Sequence, residues 1–149
     1  MERRAVEITE LRLVREEGKS VRVGGYAAMF NSESVDLGGF TERIAQGAFQ
    51  SSLGKDIRAL YNHNTSDVLA RTSSGTLRLN EDQRGLAFEM DLPDTSIGRD
   101  LAVLIERRDL TGMSFGFAVR NDQWAKVGEK RWLRTLLDVD LYEISPTAF

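Results

Sequence analysis

Ser114 is the side chain in this sequence best placed for nucleophilic chemistry. It lies in Met113-Ser114-Phe115-Gly116-Phe117, where Met113, Phe115, Phe117 and Val119 recur with period two, as in a half-buried strand. Ser114, Gly116 and Ala118 then point the other way, and the small neighbours leave room beside the hydroxyl. A serine hydroxyl attacks well only when an imidazole takes its proton and a third group holds that imidazole in one tautomer. The chain has one histidine, His63, between Asn62 and Asn64 at the end of a strand-like run over residues 57–61. An imidazole titrates near neutrality and suits the role of base. Counting by two from Leu137 through Val139 and Leu141 puts Glu143 on an apolar face, where an ionised carboxylate needs a partner. A histidine is one such partner and an arginine another; a bulge or a strand end turning Glu143 outward is the bland alternative. Asp67, close to His63 in sequence, competes with Glu143 as the orienting acid. The chemistry these residues suit is acyl transfer. Against it stand two plainer readings, a serine merely tolerated in a strand and a surface histidine. Gly112 and Gly116 allow close backbone approach, and Arg131 and Arg134 are candidates for fixing a water or the local backbone.

The elements that must position these groups are mostly strands. Val6, Ile8, Leu11 and Leu13 alternate, residues 16–19 turn, and Val21 and Val23 resume the alternation, which predicts an antiparallel hairpin. Residues 40–53 show helical spacing through Ile44, Ala48 and Phe49 or Leu53, with Thr41 as a cap and Gly47 as a weakness. Leu77 and Leu79 face Leu86, Phe88, Met90 and Leu92 across the turn residues 80–85, the strongest hairpin signal here. After Pro93, Thr95 or Ser96 caps a helix lined by Ile97, Leu101, Leu104 and Ile105. Seven or eight strands and two helices without βαβ regularity predict a mainly β fold with flanking helices. The expected architecture is a closed or nearly closed antiparallel-type barrel of about seven strands.

Composition narrows the function classes. At 149 residues the chain fits one domain, with 41% apolar and 29% charged residues, as in an ordinary globular protein. Its 20 basic and 23 acidic side chains, mixed along the length, argue against nucleic acid as a partner. The absence of cysteine removes disulfides, thiolate nucleophiles and Cys-ligated metal. One histidine and no HExxH spacing disfavour zinc, and no metal or organic cofactor is expected. Apolar runs are too short to span a membrane, and the charged Met1-Glu2-Arg3-Arg4 start does not read as a secretory signal.

Six segments then carry a resemblance. They are Gly25-Tyr26-Ala27-Ala28-Met29-Phe30, Glu42-Arg43-Ile44-Ala45-Gln46-Gly47-Ala48-Phe49, Leu60-Tyr61-Asn62-His63-Asn64, Gly85-Leu86-Ala87-Phe88, Met113-Ser114-Phe115-Gly116-Phe117 and Leu141-Tyr142-Glu143-Ile144-Ser145-Pro146. In this order and over nearly the whole chain, the sequence resembles the prohead (capsid maturation) proteases of HK97-like tailed bacteriophages and prophages. Those are distantly similar in fold to the herpesvirus assemblins. The resemblance implies a serine endopeptidase with His63 as base, Ser114 as nucleophile and Glu143 as third member. Herpesvirus relatives use a second histidine there, and this chain has only one. The resemblance also implies action in the bacterial host cytoplasm, inside the immature capsid. The enzyme would cleave the scaffolding segment of the major capsid protein, and itself. A homodimer or larger homo-oligomer is expected, with the helix face from Ile97 to Ile105 as the contact. Ala70 departs from the glycine many relatives have after the histidine loop, and no continuation follows Phe149. Residues 1–149 are therefore expected to form one catalytic domain without the usual C-terminal tail.

Two rivals remain at this stage. A catalytically inactive assembly or scaffold-binding module with the same fold would hold His63 and Ser114 apart. An esterase-like hydrolase would show a deep apolar pocket beside Ser114 in place of an elongated groove.

Overall fold

A computed structural model describes residues 1–7 and 11–148, with the side chains of Val6 and Glu7 outside the description. Ten strands and one α-helix form among these residues. The expected alternation at Ile8 and the terminal Phe149 lie outside the described residues.

The large sheet is built on the two longest strands. β1 (Glu2–Glu7), β9 (Gly112–Lys126), β10 (Trp132–Thr147), β5 (Arg58–Tyr61) and β6 (Asn64–Arg71) lie side by side in that order. β4 (Phe40–Ile44) pairs with the other half of β10. β4 and β5 both run parallel to β10, whereas β1, β9 and β6 pair antiparallel with their neighbours. The small sheet has the order β2 (Arg12–Val14), β3 (Arg22–Met29), β8 (Gly85–Asp91), β7 (Leu77–Glu81). All of its pairings are antiparallel. The pairings of the described residues thus make two sheets, one of them mixed, and no closed barrel. The mainly β expectation holds, whereas the expected closed or nearly closed antiparallel-type barrel of about seven strands is not found in these pairings. A departure from the expected pairing also lies at the N-terminus. β1 leaves the predicted first hairpin and pairs with β9, while β2 alone pairs with β3.

Alternation along the strands feeds one core. Val23 and Ala27 of β3 and Leu86, Phe88 and Met90 of β8 pack with Met113, Phe115 and Phe117 of β9 and Leu141 and Ile144 of β10. The Phe49 ring meets Phe115 edge-on at 5.5 Å, and Phe115 meets Phe117 at 5.0 Å. Each such buried ring contributes about 2–3 kcal/mol from burial, and together they fix the strand that carries Ser114.

Two helical expectations fare differently. α1 (Ser96–Glu106) forms where predicted, with the Thr95 Oγ1 accepting from Gly98 N–H at 3.3 Å. Its face of Gly98, Leu101, Ala102 and Ile105 is buried in the protein's own core, so that face is not open for self-association. Residues 40–53 are not one helix. β4 takes their first part as a strand, and a 3-10 turn at Gln50–Ser52 follows. Gly47 at φ 93° breaks any helical run. Pairing with β10 and the ion pairs of buried Glu42 with Arg4 and Arg134 outweigh the local helical spacing.

Candidate active site

Ser114 is 2% exposed on a strand whose other face is held by Met113, Phe115 and Phe117. Its neighbour on the same face, Gly116, leaves space that is used. A Cβ built there would lie 2.6 Å from Glu143 Oε1. The glycine admits the carboxylate of β10, a use the sequence reading did not assign to it.

His63 reaches Ser114 from a hairpin tip. β5 and β6 are joined by the two residues Asn62 and His63, and Tyr61 pairs with Asn64 across the turn. Asn62 has φ 51° and His63 φ 61°, the pair of positive values a two-residue type I′ turn requires. Asparagine and histidine accept this region better than most side chains. The turn is tied to β10 at two points. Asn62 N–H donates to the Pro146 carbonyl at 3.2 Å, and His63 N–H donates to Ser145 Oγ at 3.0 Å.

Glu143 arrives by a change of face. Leu141 stands opposite Phe117, yet Glu143 stands opposite Gly116, so Tyr142 is an extra residue on β10. Directly opposed residues of an antiparallel pair share a face. The bulge therefore moves Glu143 off the apolar face, where counting by two had put it, and onto the Ser114 face. A second irregularity between Leu136 and Asp138 makes Leu136, and not Leu137, the fully buried residue. After the bulge Ile144 faces the core and Ser145 stands opposite Ser114.

These three elements put an alcohol, an imidazole and a carboxylate in line. His63 Nε2 lies 2.7 Å from Ser114 Oγ, and His63 Nδ1 is hydrogen-bonded to Glu143 Oε1. The second carboxylate oxygen accepts from the Ser145 hydroxyl at 2.6 Å. With Nδ1–H donating to the carboxylate, Nε2 is left as acceptor for the serine proton. The His63 and Glu143 side chains are 10% and 8% exposed, so water competes little for either.

Asp67, the competing acid, instead accepts from Asn64 Nδ2 at 2.9 Å within the hairpin. Arg134 is engaged with Asp122, Glu2 and Glu42, and Arg131 lies 3.7 Å from Glu33; neither is bonded to these three residues. Ser145 is the site residue that sequence reasoning missed. Its signal was the period-two spacing from Glu143, which puts the two on one face of the strand past the bulge.

The family-model comparison shows one family. The family model described as Caudovirus prohead serine protease matches residues 7–149. The chain is 30% identical over 138 residues to the prohead protease of Enterobacteria phage HK97, an alignment taking in 89% of this chain and 57% of that protein. The chain thus spans less than two thirds of that relative's length. The solved structure of the bacteriophage T4 capsid assembly protease is similar with a TM-score of 0.49 at 10% identity, covering 96% of this chain and 99% of that one.

Proposed function

We propose that this chain, which belongs to the Caudovirus prohead serine protease family, is a serine endopeptidase acting in capsid maturation. The observation that carries this reading is the continuous hydrogen-bonded line from Ser114 through His63 to Glu143. In the proposed mechanism Ser114 Oγ attacks a peptide carbonyl while His63 Nε2 takes its proton. Glu143 stabilises the imidazolium that forms. The imidazolium protonates the leaving amine, and water, activated by the same nitrogen, releases the acyl group from Ser114. An extended substrate pairing with a sheet edge would present its backbone to this line.

The substrates that fit the family are the scaffolding segment of the major capsid protein and the protease itself. The reaction would run inside the immature capsid in the host cell. The 2.7 Å Nε2 to Oγ separation favours this over an inactive binding module, which would not need the two groups in contact. The test mixes purified protein with its capsid-protein precursor and compares Ser114→Ala. The parent protein is expected to cut the precursor, and the variant to lose at least about 10⁴-fold in rate. Undiminished cleavage by Ser114→Ala would remove the nucleophile from this mechanism.

A further inference from the structure

We propose that Ser145 is a positioning residue of this site, a role that rests on the reading of Ser114, His63 and Glu143 given above. A hydroxyl has one proton to donate and lone pairs to accept with. Ser145 uses both, accepting from the His63 backbone N–H at 3.0 Å and donating to Glu143 Oε2 at 2.6 Å. The direction is forced, because a backbone N–H can only donate and an ionised carboxylate can only accept. The residue is fully buried, so no solvent competes for either bond.

Two motions are removed by this one side chain. Glu143 is held at both oxygens, Oε1 by His63 and Oε2 by Ser145, so its carboxylate cannot turn about its last bond. The Asn62-His63 turn, whose positive φ values are unfavourable for side-chain-bearing residues, is clamped to β10 at the histidine's own amide. Ser145 also stands directly opposite Ser114 in the β9–β10 register. The nucleophile, the carboxylate and the histidine backbone are thus referred to one point on one strand. Such support keeps a reacting constellation within its productive geometry.

The test follows reaction of the full chain with a fluorophosphonate, which phosphonylates an activated serine. Ser145→Ala is expected to slow labelling by at least about tenfold, since an ångström of misplacement can cost about a hundredfold. Ser145→Thr, which keeps the hydroxyl, is expected to label within about threefold of the parent rate. A spectroscopic readout accompanies the rates. Because His63 is the single histidine, its Nδ1 proton gives one assignable downfield NMR resonance. That resonance should shift or broaden in Ser145→Ala and persist in Ser145→Thr. Parental labelling and an unmoved resonance in Ser145→Ala overturn the proposal, and so does an equal loss in both variants. In the unsubstituted protein, the His63 amide should resist hydrogen exchange despite its place at a turn tip; free exchange also overturns it. Labelling of Ser114→Ala at the parent rate defeats the active-site reading itself, separately from Ser145.

Discussion

At the scale of single residues, the hydrogen bonds around Glu143 dictate what an amide would do in its place. In Glu143→Gln the Ser145 hydroxyl still needs an acceptor, so the amide oxygen stays with Ser145. The amide NH₂ then faces His63 Nδ1, which must give up its proton to accept that bond. Nε2 becomes the protonated nitrogen and can no longer take the Ser114 proton. Peptidase turnover should fall by about 10³–10⁴-fold with KM little changed; a kcat within tenfold of the parent value would contradict the assigned tautomer. Much of this arrangement was readable beforehand because the candidates were so few. One histidine leaves no choice of base, and the small residues beside Ser114 marked the open side of its strand. Glu143 was found through a count that gave it the wrong face, since an extra residue at Tyr142 carries no mark in the sequence. Ser145 shares a face with Glu143 by simple alternation, but its bond to the His63 amide depends on a hairpin some eighty residues away.

At the scale of elements, the β5–β6 hairpin makes the histidine's position a matter of backbone conformation. Asn62 sits at φ 51°, where a branched side chain is penalised and glycine is not. Asn62→Val should destabilise the fold by about 1–2 kcal/mol and lower activity further by displacing the imidazole, whereas Asn62→Gly should keep both. Thermal unfolding and cleavage assays on the two variants check this, and equal behaviour of valine and glycine would rule out a strained turn. Short-range signals served well where local preference and packing agree. The Leu77–Glu81 and Gly85–Asp91 hairpin and the Thr95-capped helix are of this kind. They failed at Phe40–Ile44, where helical spacing is overruled by parallel pairing with a strand some ninety residues later. No local pattern reports such a partner. The order of strands in two sheets was likewise illegible, because it depends on contacts between distant segments.

For the whole molecule, charge is held in many exposed pairs, and the carboxylates set its acid limit. Arg71 holds Asp56 at about 2, below the ordinary 3.8. Asp91 is lowered by hydrogen bonding to Arg78, Asp140 by Lys55 and Asp82 by the Tyr26 hydroxyl. Each is depressed in the folded state, so between about pH 5 and pH 2 the unfolded chain binds more protons. The stability they supply is present above the unfolded value and lost as pH falls through the folded one. Melting temperature should therefore drop steadily over that interval, and less at high salt, which screens exposed pairs. A melting temperature unchanged down to pH 2.5 would be the contrary result. The large sheet has a consequence for timing as well. β10 lies between the strand of Ser114 and the hairpin of His63, and among the described strands it is the one that pairs with both. A nascent polypeptide still lacking β10 has its alcohol and its imidazole on strands without their shared neighbour, and it lacks the acid altogether. On the proposed reading, synthesis itself thus withholds cutting power until the ribosome has released β10.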